Sequence, residues 1–240
     1  MLSAVLSLNA LGLAAAAPLE SRQVVPHYPP TQQSKGFHLI ANLTDPSQDF
    51  TPPVNSWQLS GIHVGAGLND AVLAASKGQL FYQNGTAEQT RYNQAHTLSD
   101  GGTPLFPWGI AVDDQADTEG VLHGISINAG SGQVGIQLAQ FPEHYPILRT
   151  PAPGTYVACN QTEPYYHTNY ITVRAMFDTF DSTTGRYVRH VPENCVAITL
   201  VPQCAELPAL PSGSMSSHEF ANTVNCYADV ASIDWPEYGP

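Results

Sequence analysis

Short alternating runs cut at close intervals by glycine and proline constrain this chain more than any other feature. Phe37, Leu39, Ala41 and Leu43 alternate with His38, Ile40 and Asn42, the period of a strand with one face buried. Trp57 and Leu59 alternate with Ser56, Gln58 and Ser60 in the same way. Further strands are expected at 108–112, 121–128, 134–139, 155–159, 170–177, 187–191 and 195–201, and nearly every interval contains Gly or Pro. With 19 glycines, 20 prolines and only 12% charged residues, the composition suits turns and strands and disfavours helices. The expected fold is all-β, a single-domain antiparallel β-sandwich or barrel over 36–240. At most one short helix is expected, near the C-terminus at 217–227, where Ser216-x-x-Glu219 matches a capping box. A strand ending at Cys226 is the competing assignment. The run 72–82 reads as a hairpin turning at Ser76-Lys77-Gly78.

The first 17 residues read as a signal peptide, because the apolar run is too short to span a bilayer. Residues 18–35 read as a pro-segment or flexible arm, with a monobasic cut after Arg22 as a hypothesis. The expected compartment is therefore extracellular. Four cysteines, Cys159, Cys195, Cys204 and Cys226, form an even set that in an oxidising compartment implies two disulfides. Three pairings are open, and 159–195 with 204–226 is the working choice. Asn42, Asn84 and Asn160 each head an Asn-x-Thr glycosylation sequon. The net charge of −12, with only eight Lys and Arg, argues against nucleic-acid binding, and no later apolar run is long enough for a membrane span. A monomer is expected.

Gly130-Ser-Gly132-Gln-Val-Gly135 formally fits a dinucleotide fingerprint, but the residues after it alternate like a strand instead of opening a helix. A glycine-rich turn explains it better, and no cofactor is expected. No metal-ligand spacing occurs among the histidines and cysteines. His63 and Asp70 bracket a Gly-Ala-Gly turn and are the candidate catalytic pair. The competing reading makes Asn69 and Asp70 turn residues and His63 a packed strand residue. Among the 20 carboxylates no spacing singles out an acid pair of the kind glycosidases use. Tyr165, Tyr166 and Tyr170, close to a sequon, are candidate ligand-binding residues, since aromatic faces with polar tips stack on sugars.

Ser34-Lys-Gly-Phe-His-Leu39, Trp57-Gln-Leu59, His63-Val-Gly-Ala-Gly-Leu-Asn-Asp-Ala-Val72 and Phe106-Pro-Trp-Gly109 together resemble a family of small secreted fungal proteins of unknown function. The resemblance covers roughly 34–160. Cys195 to Cys204 and Val224-Asn-Cys-Tyr-Ala-Asp229 resemble a feature of longer members. It implies an extracellular all-β domain and transfers no catalytic or binding residue. The reading is of a non-catalytic cell-surface or glycan-binding module with cell-wall glycan as partner. A secreted hydrolase of glycan or protein using acidic residues is the alternative.

Overall fold

The structure, a computed structural model, describes residues 27–238 apart from Thr118 and Phe141. The expected signal peptide and the Arg22 cut lie outside the described residues. The strands are β1 (Gln32–Ser34), β2 (Gly36–Leu43), β3 (Gln58–Gly65), β4 (Leu68–Ala74) and β5 (Phe81–Asn84). A short helix α1 (Ala87–Arg91) then leads to β6 (His96–Gly101), β7 (Phe106–Ala116), β8 (His123–Ala129), β9 (Gly154–Glu163) and β10 (Thr168–Phe177). The chain ends with β11 (Thr179–Asp181), β12 (Arg186–Val188), β13 (Cys195–Ala205), β14 (Val224–Cys226) and two 3-10 turns. No helix among the described residues is long and apolar enough to cross a membrane.

Ten strands form one antiparallel sheet, ordered β10-β9-β13-β2-β3-β4-β8-β7-β6-β5. It closes on itself because two strands divide an edge between two partners. One edge of β2 meets β3 at Ile40–Gln58 and β5 at Phe37–Phe81. One edge of β4 meets β8 at Asp70–Ser126 and β10 at Val72–Thr172. Two closed circuits therefore share β2, β3 and β4, and closure removes the exposed edges that an open sheet would leave. The alternation in β2 works as read: Phe37, Leu39, Ala41 and Leu43 all enter the main core with Leu59, Leu73, Phe81 and Ile127. Ile40, on the other face, is also buried, because Val201, Tyr227 and Val230 cover it.

Several local expectations are corrected. The 72–82 run is not a hairpin: β4 pairs with β3, while β5 pairs with β6 and β2. The hairpin is β3–β4, with Gly67 at φ 71 in its turn; Lys77, not Gly78, takes the left-handed conformation further on. The α-helix lies at Ala87–Arg91, where Thr86 and Gln89 form a reciprocal capping box. At the C-terminus Ser216 does not cap: Val224–Cys226 is held extended by pairing with β1 and by the Cys204–Cys226 bond. The described part of the 18–35 arm is likewise tied down, through β1 and through Tyr28 stacked on His144. Residues 134–139 form no strand; Gly130, Gly132 and Gly135 all take positive φ and turn the chain beneath Gly109.

Candidate functional site

The β3–β4 register sets the site. His63 stands opposite Asn69, and Ile62 opposite Asp70. Successive side chains alternate faces, so His63 and Asp70 leave the sheet on opposite sides. The candidate pair is not formed. Asn69 and Asp70 are not turn residues either. Asn69 is buried in β4, donating through Nδ2 to the Ile127 carbonyl at 2.9 Å. Among the described residues no group of three or more His, Cys, Asp or Glu gathers as a metal would require.

Asp70 instead meets a residue that sequence reasoning passed over. Glu163, at the end of β9, is 3% exposed. Its Oε1 accepts the Tyr165 N–H at 3.1 Å, while its backbone carbonyl accepts the N–H groups of Tyr166 and His167 at 3.2 and 2.8 Å. Its buried Oε2 finds no donor. The Asp70 carboxyl lies beside it, but two carboxylates can only accept, so the pair is bonded only when a proton is bound between them. Burial pushes Asp70 up to about 6, Glu163 and Asp113 add to the rise, and the Arg174 guanidinium opposes it. The signal that could have revealed Glu163 is its place at a strand end, just before Pro164 and the tyrosines.

Glu163 anchors the turn that presents the tyrosines. Tyr165 is 54% exposed and Tyr166 40%, with ring centroids 5.1 Å apart. Tyr170 lies 5.6 Å from Tyr166. The Tyr166 hydroxyl donates to the His63 carbonyl at 2.6 Å, and the His63 ring sits 6.0 Å from that of Tyr165. His63 thus joins the site as an aromatic neighbour of the tyrosines, whereas Asp70, on the other face of the β3–β4 pair, is linked to them only through Glu163.

Beside this patch runs a polar cavity of about 650 Å³, lined by Asp113, Asn160, Gln161, Pro164, Arg174 and Asn194 among others. Gln161 faces Tyr170 across the β9–β10 ladder, so tyrosines and cavity adjoin. Its Oε1 accepts from Arg174 Nε at 3.2 Å and from Thr172 Oγ1 at 3.0 Å. The Cys159–Cys195 bond joins β9 to β13 next to Asn160 and the Cys204–Cys226 bond joins β13 to β14, the pairing expected from the sequence. Asn160 is exposed at the cavity rim, whereas Asn42 and Asn84 are half-buried. A smaller cavity of about 330 Å³ at Glu143, Arg149 and Tyr156 has its polar groups occupied: Arg149 pairs with Glu143, and the Tyr156 hydroxyl donates to the Arg149 carbonyl.

Residues 34–204, which include every residue of this patch and cavity, match the family model described as a domain of unknown function (DUF7907). The chain belongs to that family. It is also 44% identical over 225 residues to the antigenic protein SchS34 of Stachybotrys chartarum, covering 94% of this chain and all of the relative. No solved structure matches the chain. The family span stops at the first cysteine of the Cys204–Cys226 bond, so the C-terminal segment that covers Ile40 lies beyond it.

Proposed function

We propose that this protein is an extracellular glycan-binding module without catalytic activity, with cell-wall polysaccharide as its ligand. The observation that carries the reading is the joining of three neighbouring tyrosines, two of them exposed, to a cavity rich in amide groups. Aromatic faces cover the apolar face of a sugar ring while amides and charged groups take its hydroxyls. Secretion is supported by the signal-like N-terminus, two disulfides and a relative called antigenic. N-glycosylation belongs to the same reading, with Asn160 the best exposed acceptor.

A secreted hydrolase using acidic residues draws support from the raised pKa of Asp70. The geometry of its partner weighs against it. Glycosidase carboxyls stand about 5–10 Å apart to flank the scissile bond, whereas Asp70 and Glu163 are in hydrogen-bonding reach of one another. One Glu163 oxygen is already committed to the Tyr165 amide. The deciding experiment incubates the secreted protein with insoluble cell-wall polysaccharides and scores both retention and soluble product. Retention without product is expected, reduced about fivefold in Tyr166→Ala, since one aromatic face packed on a ligand contributes on the order of 1 kcal/mol. Product release that disappears in Asp70→Asn would establish the hydrolase instead.

A further inference from the structure

We propose that the cavity over Gly124 is a subsite for one neutral pyranose ring, gripped by Asp113 and Arg174 through two of its oxygens. The ligand class rests on the glycan-binding reading; the place rests on the geometry of the cavity itself.

Three features build that place. The first is a bulge. Val112 faces Ile125 and Ala116 faces His123, so β7 spends four residues where β8 spends two. The extra residues leave the ladder and re-aim Asp113, as bulges do where a side chain is redirected. His123 Nδ1 lies 2.8 Å from the Asp113 carbonyl; a carbonyl only accepts, so Nδ1 carries the proton and secures the bulge.

The second is the missing side chain at Gly124. A β-carbon there would collide with Asp113 Oδ2 and lie 3.3 Å from Arg174 Nη1. Glycine alone lets a carboxylate and a guanidinium lie over the same backbone position. Arg174 is the register partner of Gly124, so both charges stand on one sheet face.

The third is that neither charge is closed into an ion pair, although Arg174 lies near enough to Asp70 to act on its carboxyl. Asp113 and Arg174 form no ion pair among the described residues, and Arg174 donates a hydrogen bond only through Nε, to Gln161. A carboxylate accepting from one hydroxyl and a guanidinium donating to its neighbour complement a vicinal diol. An anionic sugar would bring its carboxylate against Asp113 and Asp117 on a chain of net charge −12. A cationic ligand would face Arg174. A neutral, hydroxyl-rich ring meets neither penalty.

The test is a solution NMR titration of the isotope-labelled, secreted full chain with methyl glucoside, methyl mannoside and galacturonate. The Gly124 amide and the Arg174 Nε–H are expected to shift with a neutral glycoside and not with galacturonate. Asp113→Asn and Gly124→Ala should each weaken the response about tenfold or more, the effect of losing a hydrogen bond to a charged group, with unchanged thermal midpoints. Equal shifts with galacturonate would overturn the ligand class. No shift with any neutral sugar, or wild-type affinity in both variants, would overturn the subsite, even where polysaccharide retention through Tyr166 persists. Groove shifts without polysaccharide retention would sustain the subsite and remove the tyrosine-platform reading.

Discussion

Two carboxylate clusters in this protein have similar inventories and opposite chemistry. At one, Asp100 accepts from the Tyr82 hydroxyl at 3.3 Å and from His218 Nε2 at 2.8 Å, and the Tyr82 and His218 rings meet edge to face at 4.7 Å. Tyr82 is 1% exposed, and burial, with Asp100 beside it, holds its hydroxyl above its ordinary pKa. Every acceptor there has a donor, so the cluster acts as a latch joining the C-terminal segment at His218 to β6. At the other, Asp70 meets Glu163, acceptor against acceptor, with the Tyr165 amide already using one oxygen. Burial satisfies the first cluster and leaves the second short of one proton. A carboxylate is structural or responsive according to the donor count around it as well as its depth.

Asp100→Ala would break this contrast most severely. It leaves a buried hydroxyl and an imidazole unpaired and is expected to cost about 2–3 kcal/mol in urea unfolding, within the range for hydrogen bonds to charged groups. A cost below about 0.5 kcal/mol would mean that the latch holds nothing.

The Asp70 cluster should respond to pH. Its folded pKa of about 6 lies above the ordinary 3.8, so its contribution to stability is fully present below about pH 4 and is lost as pH rises through 6. Thermal midpoints of the wild type should therefore fall between pH 4 and 7. Asp70→Asn should flatten that profile and stabilise the protein by about 1 kcal/mol at pH 7.5, because the new amide can donate to Glu163 Oε2. Glu163→Gln should reduce the slope without abolishing it, because burial, the largest cause of the Asp70 rise, remains. A pH dependence surviving in both variants would locate its origin elsewhere.

The smallest effect is expected at Asp113. Exposed on its bulge and outside any ion pair among the described residues, Asp113→Asn should change unfolding free energy by less than about 0.5 kcal/mol. A larger loss would make the bulge a structural element and move it toward the Asp100 side of the comparison.

Much of the fold was legible residue by residue. The alternation of Phe37 to Leu43 put one face of β2 in the core, and the Gly-Ala-Gly break marked the β3–β4 turn. The Thr86-x-x-Gln89 box that starts α1 was equally readable, but a five-residue helix leaves little periodicity to notice. The 72–82 hairpin was a wrong inference of a familiar kind. Two adjacent strands with a good turn usually pair, yet closure of the sheet sends β5 to β2 and β6. The tyrosines and His63 could be proposed from residue type. Glu163 could not be matched to Asp70, because 93 positions separate them and only the β4–β10 and β10–β9 pairings bring them together.

By itself, then, the sequence determined the local grammar: where strands run, where they must turn, which cysteines and aromatic residues are present. Those follow from backbone sterics and from the period of two along a strand, which act within a few residues. Only the tertiary structure decided partners and faces. A single step in register puts His63 on one side of the sheet and Asp70 on the other. Long-range pairing then sets Asp70 against Glu163, and Asp113 against Arg174 over a glycine. Such non-local contacts depend on how the whole sheet closes, which no short window of sequence contains.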